Sequence, residues 1–278
     1  MYTNNIMSKL TEFKKDDDDD VLLIEILTEF TKKLQNKDYM QILNNFKKSK
    51  NINQKDSYGW NFLMLASRQG DIGIVKLLLE KGAIIDEKDN TGSTALMFAS
   101  YLGHISVVNL LLESGADVNL TNNNGDTSLM RASLGKYLDV VKLLLAYGAN
   151  IEVQNRYGDT ALHYACKQKM GVSNIPIITE LLKYGADPNT INNNKKKPIE
   201  VFQGTEDDKK EVENLIKESI LLYGVKTIDF SIGENNNPFS ANVPFGFENF
   251  ENLKKYMGGR RRKSRRRKSR KIKSRRRK

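Results

Sequence analysis

The chain is poor in the residues from which most active sites are built. Its 278 residues include one cysteine, two histidines and one tryptophan. A single thiol excludes a disulfide within the chain and suits a reducing, intracellular setting. Two histidines and one cysteine fall short of a typical zinc site. No apolar run reaches the roughly 18 residues that a membrane-spanning helix needs. The opening MYTNNIMSKL lacks the apolar core of a signal peptide. No phosphate loop or dinucleotide-binding glycine pattern is present. These absences predict a soluble, non-enzymatic protein with no cofactor and no metal.

What is present is a period. Gly59, Gly92, Gly125 and Gly158 each follow the last by 33 residues. Leu63, Leu96, Leu129 and Leu162 keep that interval, as do Ala66, Ala99, Ala132 and Ala165. Gly82, Gly115 and Gly148 also keep it, and Gly185 arrives four residues late. A fixed period of this length marks a stack of supersecondary units, none of which can bury its apolar face alone. Within a unit, apolar residues recur at helical spacing over 62–69 and again over 72–80. A glycine then ends the second helix, where a left-handed cap is expected. Asp56, Asp89, Asn122 or Asn155 opens the next turn, with a glycine three residues on.

The aligned units read GWNFLMLAS, GSTALMFAS, GDTSLMRAS and GDTALHYAC, and continue into runs such as VVNLLLESGADVN. On these motifs the chain resembles the ankyrin-repeat family over about half its length. The resemblance implies an all-α solenoid of helix–turn–helix units joined by short β-hairpin turns. The proline common before the motif leucine is replaced by Phe62, Ala95, Ser128 and Ala161. Proline suits the first helical turn without being required there.

The organisation then follows. Residues 1–20 form an acidic N-terminus containing the run Asp16–Asp20, which solubilises the end and favours the positive pole of the following helix. That run lacks the turn glycine of a calcium loop. A degenerate cap covers 21–55, and four full repeats cover 56–88, 89–121, 122–154 and 155–191. The extra four residues of the last repeat fall around 169–174, with Asn174 as N-cap and Pro176 in the first helical turn. A C-terminal cap covers 192–222. It begins with NNNKKKPIEVF, where Lys195 takes the glycine place, and ends in a helix with Val212, Leu215, Ile216 and Ile220 on one face. A linker holding Phe239, Phe245, Phe247 and Phe250 covers 223–259.

The net charge of +11 hides two different objects. Of 45 basic residues, 15 lie in 260–278, where there is no acid; the other 30 face 34 acidic ones, a net of −4. The tail repeats RRRKS, with Ser264, Ser269 and Ser274 as places where phosphorylation would cut its charge. It cannot bury enough apolar surface to fold alone. Arg260, Arg261, Arg262, Lys263, Arg265, Arg266, Arg267 and Lys268 open a stretch suited to nucleic-acid phosphates or to an import receptor. Anionic membrane and a purely solubilising role are the other readings. The tail favours the nucleus over the cytoplasm as the working compartment.

The resemblance implies a protein partner held by hairpin tips and the exposed face of each first helix. By register those places carry Tyr58, Trp60, Asn90, Thr91, Asn123, Asn124, Asp126, Arg156, Tyr157 and Asp159 on the tips. Arg68, Gln69, Tyr101, Leu102, Leu134 and Lys167 lie on the helix face. Trp60 occupies the position of Ser93, Asp126 and Asp159, whose polarity suggests exposure. It is either a binding hot spot or a filler beneath the N-terminal cap. His163 and His104 are read as structural. The expected function is a monomeric scaffold or adaptor for a protein partner, localised by its tail. The rival readings are a non-specific nucleic-acid binder acting through the tail and a substrate adaptor for a ubiquitin ligase. Asn, Lys and Ile usage with RRRKS ends is similar to ankyrin proteins of large DNA viruses and other AT-rich genomes.

Overall fold

The computed structural model describes residues 19–34, 43–44, 47, 51–167 and 174–223. All belong to one compact unit spanning 1–230; a second unit, 231–278, lies outside the described residues. The readings of the acidic N-terminus, the linker and the basic tail therefore fall wholly or largely outside them, and so does most of the loop carrying the four extra residues.

Helix α1 spans Asp19–Leu34. Four helix pairs follow: α2 (Phe62–Gln69) with α3 (Ile72–Glu80), α4 (Ala95–Leu102) with α5 (Ile105–Glu113), α6 (Ser128–Gly135) with α7 (Leu138–Ala146), and α8 (Ala161–Cys166) with α9 (Ile175–Lys183). A 3-10 turn at Pro198–Val201 and helix α10 (Glu206–Tyr223) complete the stack. Asn61, Thr94, Thr127 and Thr160 cap the first helices, each accepting from a backbone N–H three residues on. Asn174 stands at the N-cap of α9 but does not cap it. Its Nδ2 instead donates to the Ala165 carbonyl at 2.9 Å, tying α9 back to α8.

The core is continuous along the stack. Leu63, Leu96, Leu129 and Leu162 are buried, each worth about 1.5–3 kcal/mol. Ala66, Ala99, Ala132 and Ala165 are fully buried between first helices. Their small side chains let these helices lie against one another along their length, while the second helices touch more sparingly. The first helices are the more closely packed row, and stacks of this kind present that row as the inner wall of an extended concave surface. The ends are shielded by Leu23, Ile26, Leu27 and Phe30 of α1 and by Val212 of α10. Leu215 and Ile216 pack partly on the core, and Ile220, further along the same face, is 38% exposed.

The short hairpins expected between units are closed turns, and no strand occurs among the described residues. Asp56 N–H donates to the Trp60 carbonyl at 2.9 Å, and Gly59 N–H donates back to Asp56 at 3.1 Å. The same pair of bonds recurs at Asp89, Asn122, Asn155 and Asn192. Neighbouring tips are bonded to each other: Asn90 N–H donates to the Tyr58 carbonyl and Asn123 N–H to the Thr91 carbonyl. The Nδ2 groups of Asn90 and Asn123 donate to the carbonyls of Ser57 and Asn90, 33 residues back in each case. A parallel ladder runs along the opposite edge. There Asn53, Asp86, Asn119 and Glu152 accept from the N–H groups of Ile84, Asp117, Asn150 and Asp187.

The stacking of tips explains where glycine is required. A Cβ on Gly92 would sit 2.5 Å from Oδ1 and 2.8 Å from N of Asn123, the next tip along. Lys195 holds the same left-handed turn position, with φ of 57°. It lies on the last tip, with no further tip to approach, so a side chain fits and only the backbone preference is violated. Gly92→Ala should lower stability by about 2 kcal/mol or more, from left-handed strain plus the clash. Lys195→Gly should raise it by about 0.5–1 kcal/mol, the relieved strain less the entropy lost by glycine. Urea midpoints of the two variants check both signs.

Candidate functional site

The inner wall is made of three columns with one residue per repeat. The residue after each turn glycine position gives Trp60, Ser93, Asp126, Asp159 and Lys196. The middle of the first helices gives Phe98, Arg131 and Tyr164, half-buried, while Leu65 at the same register is fully buried. The end of each first helix gives Arg68, Tyr101, Leu134 and Lys167. The first half of the wall is aromatic. The Trp60 and Phe98 rings are 4.6 Å apart and tilted by 49°, and the Arg68 guanidinium lies 5.1 Å above the indole. Tyr58 and Tyr101 flank them, 60% and 44% exposed. Trp60 is half-buried and packs against the core.

The second half is polar and internally satisfied. Asp126 and Asp159 are each only 3% exposed, which overturns the expectation that their column faces solvent. Ser93 is buried as well. The turn directs these side chains toward the next unit, where partners wait. Asp126 Oδ1 accepts from Asn155 Nδ2 at 2.8 Å and from the Tyr164 hydroxyl at 2.9 Å, and its Oδ2 pairs with Arg131 at 3.1 Å. Asp159 accepts from Asn192 Nδ2 at 2.9 Å and pairs with Lys167. Burial, with the Asp126 charge beside it, pushes the Tyr164 hydroxyl well above its usual range, so it stays a donor.

The remaining candidates separate by placement. Tyr58, Arg68, Gln69, Thr91, Tyr101, Arg156 and Tyr157 are exposed; Leu102, Asn124, Leu134 and Lys167 are half-buried. Asn90 and Asn123 are exposed at the tips, yet their amide nitrogens are committed to the ladder. Arg156 turns on its own neighbour, donating to the Tyr157 hydroxyl at 2.6 Å and stacking 4.9 Å over that ring. Phe98, Arg131, Tyr164 and Lys196 are not among the sequence candidates, although successive 33-residue steps link the first three and Lys195 in the glycine place sets Lys196 in register with Asp159.

The histidines are structural. His163 is fully buried, and its Nδ1 accepts the Thr160 N–H at 3.1 Å. That places the proton on Nε2, which donates to the Lys196 carbonyl at 3.1 Å, 33 residues on. His104 sets Nε2 2.9 Å from the Arg68 carbonyl. Cys166 is buried, and burial pushes its thiol up to about 12, far from the range of a nucleophile. No group of three or more His, Cys, Asp or Glu side chains among the described residues could hold a metal ion. No described helix is long and apolar enough to cross a membrane.

Two outcomes test this account. Asp126→Ala leaves Arg131, Asn155 and Tyr164 without their shared acceptor, so it should cost about 2–3 kcal/mol by urea denaturation. Burial lowers the His163 pKa from its ordinary 6.5, so the unfolded chain takes up a proton that the folded chain refuses. Stability should hold above that value and fall as pH drops below it. His163→Gln should be less stable at pH 7 but should lose less stability between about pH 7 and 5.5 than the parent.

A family model described as ankyrin repeats (3 copies) matches residues 31–122 and 116–192, more than half of the chain. No curated protein matches it.

Proposed function

Because the chain belongs to the ankyrin-repeat family, whose repeats form protein–protein interaction domains, we propose that it is a scaffold or adaptor. In this reading it holds a protein partner in the groove of its first helices. The observation that carries the reading is the aromatic wall segment. Trp60 and Phe98 form a fixed platform with Tyr58 and Tyr101 exposed beside it, the residue types that dominate binding energy at interfaces. The polar half of the wall satisfies its own hydrogen bonds, so a partner leaves no buried charge stranded there.

The basic tail supplies location. Fifteen Lys and Arg residues without an acid in 260–278 suit phosphates or an import receptor and favour the nucleus. A division of labour follows: the repeats choose the protein partner and the tail chooses the place. The working form is a monomer in this reading.

Deleting 260–278 should abolish retention on heparin or nucleic acid at about 0.15 M salt while co-purification of the protein partner persists. Trp60→Ala in the full chain should weaken that partner by about 2 kcal/mol. If tail deletion removes the protein partner as well, the nucleic-acid reading replaces this one.

A further inference from the structure

The inner wall has a direction. Its first two repeats present Trp60, Phe98 and Tyr101. Toward the other end both carboxylates are buried and neutralised, Asp126 by Arg131 and Asp159 by Lys167. What that end offers the groove is cationic. Lys196 ends the column that Trp60 begins, and unlike Asp126 and Asp159 it is exposed. Lys195 beside it and Arg156 one tip earlier are exposed too. Exposed acids occur on the second helices and the turns that follow them (Glu80, Glu113, Asp117, Asp139, Asp187) and on the C-terminal cap (Glu200, Glu206, Asp207, Glu211), but none lies in the three wall columns.

We propose that the groove takes an extended acidic peptide segment bearing an apolar anchor. The anchor lies on the Trp60–Phe98 platform, and the carboxylates lie against Lys196, Lys195 and Arg156. This deepens the protein-binding reading and rests on it. The spacing follows from the repeat. Packed helices are about 8–10 Å apart, so three units separate Phe98 from Lys196 by roughly 24–30 Å. An extended chain covers about 3.3–3.6 Å per residue, so six to nine residues should separate anchor and acids. A basic segment is disfavoured because no exposed carboxylate of the wall remains to receive it. Nucleic acid lacks the apolar anchor and is an outcome of the test.

Trp60 is the only tryptophan in the chain, so its emission reports the groove. The full-length protein is titrated with three tryptophan-free peptides of about twelve residues. One carries a Leu-Phe anchor and four Glu about seven residues on. The second has Lys in place of Glu. The third keeps Glu and replaces the anchor by Ser. A fourth titration uses oligo-dT. The first peptide should shift Trp60 emission saturably, and the second should bind at least tenfold more weakly. The third and the oligonucleotide should leave Trp60 unmoved. Lys195→Glu with Lys196→Glu should weaken the first peptide at least tenfold while the peptide-free emission stays as in the parent, which shows that the fold is retained.

Equal response to the acidic and basic peptides, no response to any peptide, or a Trp60 shift with oligo-dT each overturns the proposal. A chain that keeps its protein partner after tail deletion yet ignores the acidic peptide refutes this inference alone. Loss of both refutes the groove reading itself.

Discussion

The close approach of one turn to the next is the constraint on which the rest of the stack depends. Each tip donates a backbone N–H to the tip before it, as Asn123 does to Thr91. Asparagine amides reinforce that contact, and the second ladder repeats it along the opposite edge. A repeat in isolation would leave these groups to water and its leucines exposed. Stacking satisfies both at once, which is why the units are stable only as an array. Glycine at the turn is then a demand of the neighbour as much as of the backbone, and Lys195 shows it by its place at the end of the row.

The same geometry decides which polar residues are available for function. Asp126 and Asp159 look like surface residues in a turn, but the stack closes over them and fills their acceptor sites with Arg131, Tyr164, Lys167, Asn155 and Asn192. Pairing of this kind holds the register of adjacent units, because a buried carboxylate without partners would be costly. In the proposed groove, binding falls to the aromatic platform at one end and the cations at the other. A wall with this polarity favours one orientation of an extended ligand, so specificity arises from the order of ordinary residues along a regular frame.

The repeated unit was legible in the sequence because its causes are local or strictly periodic. Capping residues, left-handed glycines and the leucine and alanine spacings act within one unit or recur at the same offset, so reading one copy reads them all. The role of Lys195 was legible for that reason, even without its glycine. Exposure was less legible. The polarity of Ser93, Asp126 and Asp159 suggests outward positions, yet all three are buried. Burial of a polar side chain depends on what the next unit brings, and no single unit contains that information.

The sequence by itself determined the periodic all-α solenoid, the absence of a cysteine–histidine metal set and the segregation of positive charge into 260–278. These depend on residue identity and spacing along the chain. Only the tertiary structure decided that Trp60 rests on Phe98, that Asp126 and Asp159 are spent inside the wall, and that Lys196 closes the column Trp60 opens. Those facts arise largely between units, where packing rather than local preference sets the distance and the partner.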